Sequence, residues 1–207
     1  TGIHIHLSET LQEDKIIRER YNKTGTEYLN DLHVFDVPVV LAHGIYISDS
    51  DLEILKKIKG GISHNPISNC KLSSGTDGIG STTTLDMFEE MKTAAYLQKI
   101  NTMEPTSIKA YDILKMATIE GARVLGLEDE IGTIEVGKKA DLIFINTNKT
   151  HLYPENDLCT NLVYSANGAD VDTVIIDGKL IMQNRKLLNI NEKQVKKNIA
   201  KVVKRLL

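Results

Sequence analysis

The chain has 207 residues and a formal net charge of −3, with 41% hydrophobic and 26% charged residues. This balance is ordinary for a globular domain and argues against a disordered chain and against a nucleic-acid-binding or membrane-surface protein. The longest apolar run, residues 37–42, is far shorter than the roughly 20 residues of a membrane helix. Cys70 and Cys159 form no CxxC pair, so we expect neither a disulfide framework nor a cysteine-based zinc site, and we expect a cytoplasmic protein.

Strand and helix candidates alternate over the first part of the chain. Ile3, Ile5 and Leu7 alternate with His4 and His6, which is typical of a strand. Further strand candidates are residues 39–43 and 61–64, and the helix candidates are residues 11–21, 52–58, 84–98 and 107–117. The alternation predicts a parallel sheet with helical crossovers. The chain is too short for a complete (β/α)8 barrel, which takes about 250 residues.

One helix start carries a capping signal. Ser48 is followed three residues later by Asp51, which is similar to the capping box, in which each side chain bonds the backbone N–H of the other residue. The pattern predicts that the helix over residues 52–58 begins just after Ser48.

The pattern changes after about Leu127 to short strands. Residues 132–137 and 140–145 are strand candidates, and residues 172–182 predict a hairpin with its turn at Asp177 and Gly178. Residues 191–207 predict a basic amphipathic helix, which we interpret as a packed or solvated tail and not as a membrane binder.

The spacing before Asp77 is too short for a parallel crossover. Residues 66–76 separate Asn65, at the end of one strand candidate, from Asp77, at the end of another. Such a crossover takes about a dozen residues or more and usually includes a helix, whereas this stretch has no helical apolar period. The sequence therefore predicts that residues are missing between Gly75 and Thr76. The alternative is that Thr76 and Asp77 form no strand.

Four polar residues each close a strand candidate: His6, His43, His64 and Asp77. Active sites of parallel barrels lie at that end of the strands, so we expect a shared metal or catalytic site. The alternative is a set of structural histidines and an Asp–Gly turn. Glu9, just past the first strand, is a candidate general acid or base; its alternative role is to cap the next helix.

Four motifs at these positions resemble, in their order, those of the amidohydrolase superfamily. They are HIHLSET at residues 4–10, LAHG at 41–44, SHNPISN at 63–69 and TDG at 76–78. TLDMFEEM at residues 84–91 resembles the branch of methylthioadenosine/S-adenosylhomocysteine deaminases, which neighbours the triazine chlorohydrolases. Residues 131–142 resemble the segment with which the superfamily begins its small β-sandwich, so the resemblance extends over nearly the whole chain.

The resemblance implies an α/β fold that is part of a larger protein. Residues 1–127 would form the second half of a (β/α)8 metal-dependent hydrolase barrel, residues 128–190 part of a composite β-sandwich and residues 191–207 a C-terminal helix. The superfamily's first metal pair, an HxH on the first barrel strand, has no counterpart here. His6 matches a later ligand, and His4 matches none, although spacing alone would pair the two. We therefore expect this segment alone neither to hold metal tightly nor to turn over substrate.

The resemblance also assigns roles to the site residues. His6 and Asp77 would bind one divalent metal ion, zinc with iron as the alternative, and Asp77 would also be the general base. Glu9 would protonate the substrate ring nitrogen, and His43 would hydrogen-bond the metal-bound water or the tetrahedral centre. Glu9 and Asp77 would contact the substrate, and His64 would shape the substrate pocket.

The implied activity is hydrolytic deamination of methylthioadenosine, S-adenosylhomocysteine or adenosine with release of ammonia. The alternatives are another amidohydrolase, such as a guanine deaminase or triazine chlorohydrolase, and a catalytically incomplete fragment or paralogue that acts as an interaction module. We expect a small-molecule substrate and no nucleic-acid or membrane partner, and we take a homodimer as the candidate assembly.

Overall fold

A parallel sheet forms the first part of the protein. The computed structural model describes residues 2–70 and 84–206. Within these residues the sheet contains, in spatial order, β1 (Ile3–Leu7), β2 (Val39–His43) and β3 (Gly60–Ser63). Leu7 is in register with His43, and Ala42 with Ser63. The carboxyl ends of the strands therefore lie side by side, and the predicted parallel sheet is confirmed.

Three helices around this sheet begin at side-chain caps: α1 (Leu11–Tyr21), α2 (Gly25–Asp31) and α3 (Asp49–Leu55). The short helix α4 (Pro66–Cys70) follows β3. The predicted capping box of Ser48 and Asp51 is present at the start of α3. The start of α2, a helix that was not predicted, has the same capping box, formed by Thr24 and Glu27. The Thr-x-x-Glu spacing was the available signal for that helix.

The apolar face of the sheet packs against these helices. Its buried residues are Leu7, Val39 and Leu41, which we call the first core. Leu29 of α2 and Leu55 of α3 pack against it. The predicted alternation holds at the end of β1, because Leu7 is buried and Ile5 packs against this core while His6 is exposed. At the start of the strand both Ile3 and His4 are exposed. The face of β1 that carries His6 is thus available for the candidate site.

A second group of helices follows residue 84. It comprises α5 (Met87–Thr102), α6 (Ala110–Lys115) and α7 (Gly121–Leu125). A π-helical turn, Met116–Glu120, joins α6 to α7, so the predicted helix over residues 107–117 ends too early. The helix continues to Gly126, whose left-handed φ of 68° ends it.

The third part is an antiparallel sheet with two further helices. The strands are, in spatial order, β4 (Leu142–Ile145), β5 (Val171–Ile176), β6 (Lys179–Gln183) and β7 (Lys186–Leu187). The helices are α8 (Leu158–Tyr164) and α9 (Glu192–Leu206). The predicted hairpin is confirmed, because Asp177 and Gly178 both have the positive φ of its turn. None of the residues of α9 is buried. No helix in the described part of the chain is long and apolar enough to cross a membrane.

The strand predicted over residues 132–137 is wrong. Ile134 and Val136 are almost fully exposed, so no burial favours an extended strand there. Gly132 and Gly137 have left-handed φ values of 92° and 96°. Lys138 Nζ lies 2.6 Å from the carbonyl oxygen of Glu128 and closes the segment as a loop.

A second core joins helices before residue 127 to elements after it. Its buried residues are Phe88, Met91, Ala95, Ile113, Leu152, Val163, Ala166 and Val171. Residues on both sides of position 127 thus contribute to one core. The domain boundaries at residues 127/128 and 190/191 stay predictions.

Asp86 links these two parts through one carboxylate. Its Oδ1 accepts from Phe88 N at 2.9 Å as the N-cap of α5, and its Oδ2 accepts from Gly168 N at 2.7 Å. We expect Asp86→Ala to lower the free energy of unfolding by about 2 kcal/mol, measured by urea denaturation. Asp157→Ala is the matched control, because Asp157 also caps a helix, α8, but is exposed. An equal loss in both variants would contradict a linking role for Asp86.

Candidate active site

Three predicted site residues meet at the carboxyl ends of β1 and β2. The His6 and His43 rings stack with their centroids 5.3 Å apart and their planes 22° apart. Glu9 lies just past β1, and its Oε1 is 3.7 Å from His43 Nε2. The His43 side chain is fully buried, whereas His6 is exposed. His6 is therefore the member of this group that a ligand can reach most directly.

A change of backbone conformation at the end of β2 brings His43 into the group. Strand alternation alone places residue 43 on the face of Val39 and Leu41, which belong to the first core. His43 instead has a φ of 74°, in the left-handed region that few residues other than glycine adopt. The alternation is broken there, and the imidazole stacks on His6.

Capping of α1 is carried out by residues other than Glu9. Thr10 Oγ1 accepts from Glu13 N at 3.1 Å as the N-cap. The Glu13 carboxylate accepts from the backbone N–H groups of Ser8 at 3.2 Å and Glu9 at 2.9 Å. The alternative interpretation of Glu9 as the cap is thus not the arrangement observed, and its carboxylate faces His43.

Asn69 connects His43 to His64. Asn69 Oδ1 is 2.8 Å from His43 Nδ1, and Asn69 Nδ2 is 3.5 Å from His64 Nδ1. Partial burial lowers the pKa of His64, although part of its ring remains exposed. No role was predicted for Asn69; the available signal was its place in the SHNPISN motif with His64.

His6 fits the predicted role of a metal ligand. Its imidazole is exposed at the end of a strand, and neutral imidazole binds zinc and iron. Asp77, the other predicted ligand, lies outside the described residues, as does the predicted break between Gly75 and Thr76. Over residues 2–70 and 84–206, no group of three or more His, Cys, Asp or Glu side chains is placed to hold a metal ion. The described part thus provides one of the predicted ligands.

Sequence relatives of this chain are nucleoside deaminases. The chain is 45% identical over 224 residues to the 5-methylthioadenosine/S-adenosylhomocysteine deaminase of Caldanaerobacter subterraneus subsp. tengcongensis. It is 44% identical over 224 residues to the 5'-deoxyadenosine deaminase of Methanobrevibacter smithii. Each match covers 100% of this chain and 52% of the relative, so the chain spans about half the length of these proteins.

These matches bear on the predicted missing residues. The alignments run over 224 positions, whereas the chain has 207 residues. The relatives therefore contain residues within the matched range that have no counterpart here. This agrees with the prediction that residues are missing from the chain.

Solved structures share the fold. An adenosine deaminase from Xanthomonas campestris with bound zinc is 29% identical and superposes with a TM-score of 0.92 over 99% of this chain and 51% of its own. An atrazine chlorohydrolase from Arthrobacter aurescens, 17% identical with a TM-score of 0.83, covers 98% of this chain and 48% of its own. The second likeness shows the fold alone. The predicted α/β fold of a partial hydrolase barrel is confirmed.

The family follows from the extent of the match. Residues 1–181 match the amidohydrolase family. This range includes the parallel sheet and extends into β6 of the antiparallel sheet. The polar group at the strand ends lies within that range. The chain belongs to the amidohydrolase family.

Proposed function

We propose that this chain provides part of the active site of a metal-dependent hydrolytic deaminase acting on an adenine nucleoside derivative. The observation that carries the proposal is the meeting of His6, Glu9 and His43 at one end of the parallel sheet. The nucleoside deaminases to which the chain is 44–45% identical support adenine nucleosides as the substrate class. The candidates are methylthioadenosine, S-adenosylhomocysteine, 5'-deoxyadenosine and adenosine.

His6, with Asp77 as the predicted second ligand, would hold a divalent ion, zinc or iron. Such an ion lowers the pKa of bound water to about 7 and so supplies a nucleophile at neutral pH. The zinc bound in the Xanthomonas campestris structure, together with the imidazole of His6, supports zinc as the first choice.

Residues of this chain would carry out the proton transfers of the reaction. Glu9 donates a proton to the ring nitrogen next to the carbon that bears the amine, so the ring does not become an anion when water adds. His43 hydrogen-bonds the attacking water. Asp77 takes a proton from the water and passes it to the amine. The C–N bond breaks and ammonia leaves. The former water oxygen remains on the ring and gives up its second proton to Glu9, which restores the acid.

A guanine deaminase or triazine chlorohydrolase is the alternative within the family. Its support is weaker, because the E. coli guanine deaminase is 22% identical and the atrazine chlorohydrolase 17% identical, which shows the fold alone. A non-catalytic interaction module is the alternative of another class. A homodimeric assembly and a cytoplasmic location stay predictions of the sequence.

The product released from a substrate panel tests the proposal. The intact protein that carries this chain, loaded with Zn²⁺ or Fe²⁺, is incubated separately with the four adenine nucleosides, guanine and a chlorotriazine. We expect ammonia from at least one adenine nucleoside and none after chelation of the metal. Ammonia from guanine alone, or chloride from the triazine alone, would support the family alternative. No product from any of the substrates would favour the interaction module.

A further inference from the structure

We propose that Asn69 is a positioning residue that holds the His43 imidazole as its Nδ1–H tautomer. Nε2 then carries the acceptor lone pair on the side of the ring that faces Glu9. The catalytic meaning of this arrangement rests on the proposed deaminase function, whereas the tautomer itself is a property of the folded chain.

The contact that carries the proposal is the 2.8 Å separation of Asn69 Oδ1 and His43 Nδ1. An amide oxygen accepts hydrogen bonds and donates none, so a hydrogen bond at this distance requires the hydrogen on Nδ1. A neutral imidazole has one N–H, and a proton on Nδ1 leaves Nε2 as an acceptor. The His43 side chain is fully buried, which strengthens a well-formed hydrogen bond.

His64 sets which way the Asn69 amide points. Asn69 Nδ2 is 3.5 Å from His64 Nδ1, a long but correctly paired contact for an N–H donor and a ring acceptor. Burial lowers the pKa of His64 and so favours the neutral ring, whose Nδ1 can accept. With the NH2 group on His64, the amide oxygen is directed to His43.

The backbone around Asn69 is held on both sides. Within α4, Asn69 N donates to the carbonyl of Asn65 at 2.8 Å. At the start of the same helix, Ile67 N donates to Glu90 Oε2 of α5 at 3.1 Å. The backbone of Asn69 is therefore held by contacts that do not involve His43. Because of this, the Asn69 side chain can fix the orientation of the His43 ring.

The tautomer decides what His43 can do for the substrate. In the Nδ1–H form, the neutral ring accepts a hydrogen bond from the attacking water through Nε2 and becomes a donor on that side only after protonation. In the opposite tautomer, an Nε2–H group would meet the water and would not accept from it. Asn69 would in this way select the acceptor form before substrate binds.

Nitrogen NMR of the histidine rings in the intact protein tests the tautomer directly. Protonated and unprotonated ring nitrogens have separate ¹⁵N shifts, and His43→Gln assigns the His43 signals by their loss. The wild-type protein, Asn69→Leu and Asn69→Asp are compared, with Asn30→Leu as the matched control at an exposed position of α2. Thermal unfolding of each variant reports whether its fold is kept.

We expect His43 to carry a proton on Nδ1 and none on Nε2 in the wild type and in Asn30→Leu. Asn69→Asp, which keeps an acceptor oxygen, should keep the proton on Nδ1. A protonated Nε2 in the wild type would overturn the proposal. Asn69→Leu should move the proton to Nε2. It should also lower kcat about 10- to 100-fold with little change in KM, the usual size for a partner that orients an active-site imidazole. An unprotonated Nδ1 in the wild type would overturn the proposal even if Asn69→Leu fails to fold. So would a folded Asn69→Leu with the wild-type tautomer.

The two levels of the proposal can fail separately. If the panel shows no deamination but the tautomer responds as expected, the proposed function fails and the positioning role of Asn69 stands. If deamination occurs but Nδ1 is unprotonated, the function stands and the positioning role fails.

Discussion

Replacing Glu9 by glutamine should remove most of the deaminase turnover of the intact protein while leaving its fold and metal content unchanged. Glutamine keeps the size and hydrogen-bonding shape of the side chain but has no proton to transfer to the substrate ring. General acid catalysis contributes typically 10²–10⁴-fold to rate, so we expect kcat to fall by roughly that factor. The substitution should preserve the fold because the cap of α1 depends on Thr10 and Glu13.

The measurement is steady-state release of ammonia, together with metal analysis and thermal unfolding. Glu19→Gln is the matched control, because Glu19 lies in α1, the helix that follows Glu9, and its exposed carboxylate is 3.7 Å from Lys15 Nζ. Its turnover should equal that of the wild type. If Glu9→Gln keeps wild-type kcat, Glu9 has no part in proton transfer. If Glu9→Gln loses its metal, the carboxylate supports the metal site instead of acting as the acid.

Replacing Asp51 by alanine should lower the free energy of unfolding more than replacing Asp86 does. The Asp51 carboxylate is fully buried and accepts from the Thr24 hydroxyl, from Ser48 N at 2.9 Å and from Ser48 Oγ at 2.7 Å. Thr24 caps α2 and Ser48 caps α3, so one side chain ties the starts of both helices. Hydrogen bonds to a charged group contribute about 1.5–3 kcal/mol to stability. We therefore expect Asp51→Ala to lower the free energy of unfolding by about 3 kcal/mol.

The same variant has a predicted pH dependence. Burial by itself would raise the pKa of Asp51, but the hydrogen bonds from Thr24 and Ser48 outweigh it and lower that pKa below its ordinary value. A carboxyl with a lowered folded-state pKa stabilises the protein above its unfolded pKa, about 3.9, and loses that effect as the pH falls through the folded pKa. The difference between wild type and Asp51→Ala should therefore shrink below about pH 4.

Urea denaturation at a series of pH values measures both effects. Asp49→Ala is the control, because Asp49 is in the first turn of the same helix but is exposed. It should change stability little at any pH. A loss of stability in Asp51→Ala that stays constant down to pH 2 would show that the effect comes from packing and not from the carboxylate.

Local signals in the sequence were sufficient for much of the fold. Ser48 and Asp51 marked the start of α3, and the turn residues Asp177 and Gly178 marked the β5–β6 hairpin. These signals work because capping and turn geometry depend on a few neighbouring residues. Residues 132–137 show the limit of such local signals. Their apolar residues are typical of a strand, but whether those residues are buried depends on distant parts of the chain.

The candidate site was predictable in its members and not in its contacts. Motifs identified His6, Glu9 and His43, because each lies at or just past the end of a recognisable strand. Strand alternation would have turned His43 toward the first core. Its left-handed φ of 74°, in a segment packed against β1, places it on His6 instead.

By itself the sequence determined the three parallel strands, the start of α3, the β5–β6 hairpin, the family and the candidate site residues, because these depend on local patterns and short motifs. Only the tertiary structure decided that Thr10 and Glu13 cap α1, so that the Glu9 carboxylate faces His43. It also brought Asn69 to 2.8 Å from His43. Residues 43 and 69 lie on different elements, and their contact depends on how β2 and α4 pack together, which no local pattern encodes.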